Sequence, residues 1–320
     1  GPDAATVLDR VSAGAVAGEP GRIVYTQWVN DAGGIEADLT VTRLATDRFL
    51  VVASDTAHGH VANWLGRHTD GADVRVSDVT ASFAQVNIQG PRSREVMAAV
   101  SDDDFGAQAF AFRDARWVHV GHAPVLAVRI TYVGELGWEL YIPVEHAGHV
   151  YETLVQAGEP LGLAHVGLKA LGSLRLEKAY RDYGHDIDNT DTIAMVGLGF
   201  AVAKDKPGDW IGRAPTLAAL SAGPPRSRLV QVLLIDPEPL LFHAEPLLRD
   251  GVPIGDVRSG SYGWTLGGAV GLAMVTNPDG PASADWLAAG TWEVDIAGQR
   301  YAATVSLRPL YDPTSARVTD

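Results

Sequence analysis

An α+β fold is predicted: antiparallel sheets with flanking helices over residues 1–222, followed by a small all-β unit over residues 223–320. Three observations carry this. Strand and helix patterns are mixed without regular strand–helix–strand alternation, which argues against a parallel doubly wound sheet. No G-x-G-x-x-G follows a strand and no phosphate-binding P-loop is present, so a dinucleotide domain is not expected. Gly223-Pro224-Pro225 reads as a linker, and beyond it come short alternating strands separated by Gly, Pro and Asp.

The first element is a short helix over residues 2–16. Pro2 and Asp3 suit a helix start, and Val7, Leu8 and Val11 share one apolar face. Residues 22–29 and 35–44 form a hairpin around Asn30-Asp31-Ala32-Gly33-Gly34, a strong turn signal. On its second strand Asp38, Thr40 and Thr42 share a face opposite Leu39 and Val41. A strand at 48–53 and a helix at 57–67 follow. Strands are expected at 74–79 and 83–89, and a helix at 91–100 opened by Gly90-Pro91. Strands at 116–120 and 125–132 lead into a second hairpin over 130–143. In it Ile130 and Tyr132 share a face of the incoming strand. Trp138, Leu140 and Ile142 share a face of the outgoing strand, with Glu139 and Tyr141 opposite. Gly134 and Gly137 supply the freedom of a tight reversal. Helices at 145–156 and 167–180 complete the first unit. Strands near 229–234, 253–259, 269–274, 291–296 and 300–306 make the second a barrel or sandwich.

At 320 residues the chain has room for two or three cores. Its 46% hydrophobic and 20% charged content are those of a soluble globular protein. A net charge of −14 without any lysine or arginine run argues against a nucleic-acid surface, and obliges an anionic ligand to find a locally positive pocket. The absence of cysteine excludes disulfides, thiolate catalysis and cysteine metal sites. No apolar run reaches transmembrane length and no signal peptide opens the chain, so the cytoplasm is the expected compartment.

Two carboxylates, Glu135 and Glu139, flank the 130–143 hairpin beside Tyr132 and Trp138. A flat, nitrogen-rich ligand can stack on such rings and donate N–H groups to a carboxylate. An ordinary hairpin with solvated glutamates accounts for the same residues. Asp38 follows a double-glycine turn on a strand, where it is held rigidly and can point into a cleft. If partly buried, its proton affinity rises and it can trade a proton with a weakly basic amine. The alternative is a strand-edge aspartate in solvent. Arg175 and Glu177 are two apart on a helix and do not face one another. Arg175 can pair with Asp38, Glu139 or a ligand carboxylate, or enter a structural ion pair. His185 beside Asp186 is too sparse to read as a metal site.

Tyr132-Val133-Gly134-Glu135-Leu136-Gly137-Trp138-Glu139 resembles the Y-x-G-E-x-G-x-E signature of the tetrahydrofolate-binding aminomethyltransferase family. That family includes the glycine cleavage T-protein and the C-terminal halves of dimethylglycine and sarcosine dehydrogenases and oxidases. Three further stretches agree in order. Asn30 to Leu39 resembles N-x-x-G-G-I-x-x-D-L. Ala170 to Lys178, continuing to Gly184-His185-Asp186, resembles the A-L-x-S-L-R-x-E-K and G-x-D run of the dimethylglycine and sarcosine branch. Lys206-Pro207-Gly208-Asp209-Trp210-Ile211-Gly212 resembles that branch's K-P-x-D-F-I-G. Four ordered motifs are specific where each alone is weak.

The resemblance implies two intertwined folate-binding subdomains and a C-terminal barrel. It implies that Asp38 lies near the reactive nitrogens of tetrahydrofolate and that Glu139 binds the pterin's amino group and ring N–H. Tyr132, Arg175 and Tyr311 are the further candidates for folate contact. The implied activity is capture of an iminium or formaldehyde unit from an N-methyl amine, giving 5,10-methylenetetrahydrofolate. Oxidation of the amine needs FAD, expected on a missing domain or a partner oxidase or dehydrogenase subunit. The family's first strands do not precede Gly1-Pro2-Asp3-Ala4, so the chain is read as N-terminally truncated or part of a longer polypeptide. Two departures stand out. Leu171 occupies a T-protein arginine position, and Ile193-Ala194-Met195 replaces Pro-x-Glu. The rival readings are a free-standing T-protein, a folate-dependent O- or S-demethylase, and a folate-binding regulator. The regulators' K-G-C-Y motif has no match here, where Lys178-Ala179-Tyr180 stands.

Overall fold

The computed structural model describes residues 1–319. In chain order the elements are α1 (Ala4–Val11), β1 (Arg22–Val29), β2 (Ile35–Ala45), β3 (Arg48–Ala53), α2 (His58–Gly66), β4 (Phe83–Gln89) and α3 (Ser93–Val100). Then come β5 (Ala115–Val120), β6 (Ala123–Val128), β7 (Gly137–Pro143), α4 (Ala147–Gly158), α5 (Leu168–Glu177) and α6 (Arg213–Ser221). The last third holds β8 (Ser227–Leu234), β9 (Pro246–Arg249), β10 (Val252–Gly263), β11 (Gly268–Thr276), α7 (Ala284–Ala289), β12 (Trp292–Ile296), β13 (Gln299–Ser306) and α8 (Ala316–Thr319).

Two antiparallel sheets, β1-β2-β3 and β4-β7-β6-β5, make the first part, and β10-β11-β8-β13-β12-β9 close into a barrel. Alternation along each strand sets the layering. On the first sheet Trp28, Ala37, Leu39 and Val41 pack against Val7, Leu8 and Val11 of α1. Its other face carries Ile23, Leu50 and Val52, which meet Leu126, Val128 and Tyr141 of the second sheet. The far face of the second sheet, with Val118, Val125, Trp138, Leu140 and Ile142, is covered by Val96 and Met97 of α3 and by Val150 and Leu154 of α4. The order is therefore helix, sheet, sheet, helix. The barrel is joined to this stack where Leu229, Val270 and Leu272 pack on Leu176, Ala179 and Val196.

The α+β architecture with its closed barrel is as expected, but several local readings change. Helix α1 stops at Val11, because the next residues turn to meet β1 and Ala13 N–H donates to the Gln27 carbonyl at 2.9 Å. Residues 74–79 form no strand: no strand pairs with them, and Val76 and Val79 are exposed. The incoming strand of the second hairpin ends at Val128, so Ile130 and Tyr132 lie in a connection spanning 129–136. There the Thr131 hydroxyl accepts from the Val133 and Gly134 N–H groups at 3.1 Å, which turns the chain out of the ladder. Strand β9 was not expected, yet it closes the barrel between β10 and β12. Trp138 was considered as a stacking surface for a ligand. It is instead fully buried, edge-on to Phe105 at 5.2 Å and to Phe110 at 5.9 Å.

Trp138→Ala is expected to cost about 3–5 kcal/mol, since it empties the centre of the layer under α3 and α4. Urea denaturation followed by circular dichroism measures this. A loss under about 1 kcal/mol would mean that the layer repacks around the hole.

Candidate functional site

Titratable side chains lie on the two sheet surfaces that face each other. The hairpin register puts Gln27 of β1 directly opposite Asp38 of β2. A bulge between Trp28 and Val29 makes that register: Val29 pairs with Ile35, but Trp28 already pairs with Ala37. Tyr25, Gln27, Asp38 and Thr40 consequently share the inter-sheet face with Ile23, Leu50 and Val52. Gly33 makes the turn at φ +87°.

Gln27 is fully buried, and its Nε2 donates to Asp38 Oδ1 at 2.7 Å. The Tyr25 hydroxyl faces the same carboxylate, and the exposed Phe200 ring stacks on Tyr25 at 6.2 Å. Burial pushes Asp38 up to about 6, against the pull of the Gln27 and Tyr25 hydrogen bonds and the Arg181 charge, while Asp182 adds a smaller push upward. Arg181 sits nearby with its guanidinium on backbone carbonyls, Val196 O at 3.0 and 2.8 Å and Ala179 O at 2.7 Å.

On the second sheet Glu139 lies between Asn87 of β4 and Val128 of β6, on the face that carries Tyr141. The Tyr141 hydroxyl donates to Glu139 Oε2 at 2.7 Å. Burial raises Glu139 above the ordinary carboxylate range, and this hydrogen bond lowers it in part. Gln85 and Asn87, cross-strand from Tyr141 and Glu139, are exposed on the edge strand β4. Asp38 and Glu139 thus stand on the two surfaces that face each other, each desolvated and each holding a hydrogen-bond donor.

The other candidates fall differently. Tyr132 stacks on Tyr180 at 6.1 Å and donates to the Arg181 carbonyl at 2.8 Å, which ties the 129–136 connection to the chain beside Asp38. Arg175 is not free for a ligand. It is buried, paired with the fully buried Asp186, and also bonded to Tyr180 O at 3.1 Å. Asp186 lies nine residues past the end of α5 in irregular backbone, and its burial draws the guanidinium inward. The Tyr311 hydroxyl donates to Glu135, not towards Glu139. Beside it Lys178 Nζ reaches Asp312 Oδ2 at 2.9 Å, both side chains nearly inaccessible. The Lys178 stem lies under Gly134, where a Cβ would come within 2.9 Å of it. Lys178 therefore fastens the C-terminal segment and the 129–136 connection together. Glu177 accepts from the Thr265 and Leu266 N–H groups at 2.7 and 2.9 Å and serves the barrel junction. His185 sits exposed 3.2 Å from Asp182, and no group of three metal-ligating side chains exists among the described residues.

Sequence reasoning missed Tyr25, Gln27 and Arg181. Tyr25 and Gln27 alternate on a recognised strand, but only the bulge aligns them with Asp38. Arg181 lies past a helix end in irregular backbone and carries no spacing signal.

Residues 1–206 match the family model described as the GCVT N-terminal domain, and residues 227–312 match that of the glycine cleavage T-protein C-terminal barrel domain. The chain is 40% identical over 318 residues to the 4-methylaminobutanoate oxidase (formaldehyde-forming) of Paenarthrobacter nicotinovorans, covering 99% of this chain and 38% of that one. It is 32% identical to the mitochondrial sarcosine dehydrogenase of Mus musculus, covering 99% and 36%. It thus spans little more than a third of these relatives. With the aminomethyltransferase of Geobacillus thermodenitrificans identity is 35%, covering 91% of this chain and 77% of that one. The crystal structure of the glycine cleavage system aminomethyltransferase T from Bartonella henselae superposes with a TM-score of 0.85 at 24% identity, covering 98% and 82%, and shares the fold.

Two outcomes follow from this geometry. Lys178→Met leaves the Asp312 carboxylate enclosed without its cation, and a loss of about 3–5 kcal/mol is expected, read by thermal and urea melts. Asp38 has a raised affinity for its proton in the folded state, so its contribution to stability is complete below about 3.8 and is lost as pH rises through about 6. The stability difference between wild type and Asp38→Asn should therefore shift against the wild type between pH 4 and 6.5. A flat difference in urea melts across that range would contradict the burial of the carboxylate.

Proposed function

The chain belongs to the aminomethyltransferase family of the glycine cleavage T-protein, and from that premise we propose that it captures a one-carbon unit at the formaldehyde level on tetrahydrofolate. One observation carries the reading: two desolvated carboxylates, Asp38 and Glu139, on the opposed faces of the two sheets, whose intervening space is the candidate cleft. The cleft also suits a reduced pterin, whose edge is rich in N–H donors. Asp38 and Glu139 are acceptors for those donors.

Bound tetrahydrofolate supplies two nucleophilic nitrogens. Formaldehyde and tetrahydrofolate give 5,10-methylenetetrahydrofolate and water; an iminium ion gives the same product and the protonated amine. Glu139, on the rigid central strand β7, accepts from the pterin and fixes its orientation. Asp38 in its ionised form takes the proton that a folate nitrogen sheds as it bonds to carbon. A carboxylate near 6 is half protonated only slightly below neutrality, so it can accept and return that proton. The apolar wall of Ile23, Val52 and Val128 limits bulk water around the reactive carbon.

In this reading residues 1–222 form the folate-binding unit and residues 223–320 the barrel that buttresses it. The donor is an N-methyl amine of the sarcosine, dimethylglycine or methylaminobutanoate type, oxidised by a flavin-bearing region or subunit outside this chain. The names of the oxidase and dehydrogenase relatives support this, as does the third of their length that the chain spans. A second reading is a free-standing aminomethyltransferase, favoured by the 77% coverage of the Geobacillus enzyme. Leu171, half-buried on α5, supplies no cation there and favours the first.

Calorimetric titration of tetrahydrofolate, followed by methylenetetrahydrofolate formation from formaldehyde, tests the proposal. Glu139→Ala is expected to weaken binding by about 10–100-fold, the range of a charge-assisted hydrogen bond. Asp38→Asn should keep binding and lose product formation, and the wild-type rate should rise with pH through about 6. Equal affinity in wild type and Glu139→Ala would reject the site. Turnover of an aminomethyl-lipoyl donor in preference to formaldehyde would favour the second reading.

A further inference from the structure

Gln27 deserves a role of its own because it is a costly residue where it stands. It is completely enclosed, yet Oε1 has no partner. A buried acceptor left unmet costs about 1–3 kcal/mol, and an apolar side chain there would avoid that. Its nitrogen, by contrast, makes a short bond of 2.7 Å to Asp38 Oδ1 from the directly opposed register position. Both atoms sit on sheet backbone, so the amide is a fixed donor.

We propose that Gln27 is the positioning residue for Asp38: its amide clamps Oδ1 and holds the carboxylate in the plane from which it exchanges a proton with the bound folate. The inference rests on the folate reading of the cleft. A donor on Oδ1 favours the ionised carboxylate and fixes its plane, so that the carboxylate meets the ligand in one orientation. The other groups that face Asp38 are Tyr25 from β1, Arg181 and Asp182 from the segment after α5, and, farther off, Tyr132 and Tyr183. Among them Arg181 and Asp182 act by charge alone, and Tyr25 is a phenol whose own proton burial holds tightly. The amide is the one group of this set that neither carries charge nor titrates. Its effect on Asp38 is therefore the same at every pH. Removing it should displace the pH profile rather than reshape it.

The test uses Gln27→Met and Gln27→Leu, which keep volume and remove the donor. Both should fold as the wild type does by circular dichroism. In formaldehyde-dependent product formation, the acid limb should move up by about one pH unit, the equivalent of a net hydrogen bond of about 1.4 kcal/mol. At pH 5.5 this is a loss of about tenfold, with a plateau above pH 8 lowered less than threefold. An unmoved limb in both folded variants, or a uniform loss at all pH, overturns the proposal. If the wild type itself makes no methylenetetrahydrofolate, the folate reading fails, and that is seen without any variant. The clamp is then decided on ligand-free protein by carbon NMR of labelled aspartate. An Asp38 titration that moves upward in Gln27→Met upholds the clamp, and an unchanged one removes it.

Discussion

Desolvation of the Asp38 carboxylate on the face where two sheets meet is the constraint to which the rest of the structure answers. An isolated carboxylate moved into a protein interior is held at a cost too large for a marginally stable fold, and it neutralises unless neighbours support its charge. Here the support comes from separate pieces of chain. Gln27 and Tyr25 arrive on the paired strand, and Arg181 on irregular backbone after α5. Arg181 gives its hydrogen bonds to carbonyls and forms no ion pair among the described residues, so its charge acts on the cleft as a field. The balance leaves Asp38 near 6, neither permanently charged nor permanently neutral. That is the condition under which one group can both take and release a proton.

Other charged residues near the cleft do something else. At the end of α5, Arg175, Glu177 and Lys178 point three ways: into Asp186, onto the barrel hairpin at Thr265 and Leu266, and onto Asp312. Successive helix residues fan out around the axis, so three neighbours can each fasten a different segment. The run that carried part of the family resemblance is in this chain an architectural hub. The two desolvated carboxylates of the proposed site lie on the strands instead.

Much of the fold was legible because it depends on short-range pattern. Trp138, Leu140 and Ile142 alternate with Glu139 and Tyr141, and the sheet buries the first set exactly where period two requires. Asp38 and Glu139 were legible as candidates for the same reason, helped by the resemblance. What was not legible depends on register and on distant contacts. A plain hairpin closed at Val29 and Ile35 would pair Gln27 with Ala37; the bulge advances β2 by one residue and brings Asp38 to Gln27. Nothing in the local sequence announces it. Thr131 similarly ends a strand that hydrophobicity alone would continue. The partner of Arg175 could not be chosen among several acidic residues until the fold enclosed Asp186 beside it.

The clasp between Lys178 and Asp312, with Tyr311 on Glu135, joins positions 134 and 176 residues apart in sequence. A ribosome releases the chain from its amino end, so Asp38 and Glu139 emerge long before the segment that braces their connection. The two sheets can collapse on each other during synthesis, but residues 129–136 acquire their fastening only when Tyr311 and Asp312 are free. Closing so long a loop is slow compared with forming a hairpin. Maturation of this wall is thereby deferred until the segment after the barrel has emerged, and a nascent chain that stalls within the barrel carries an unbraced connection.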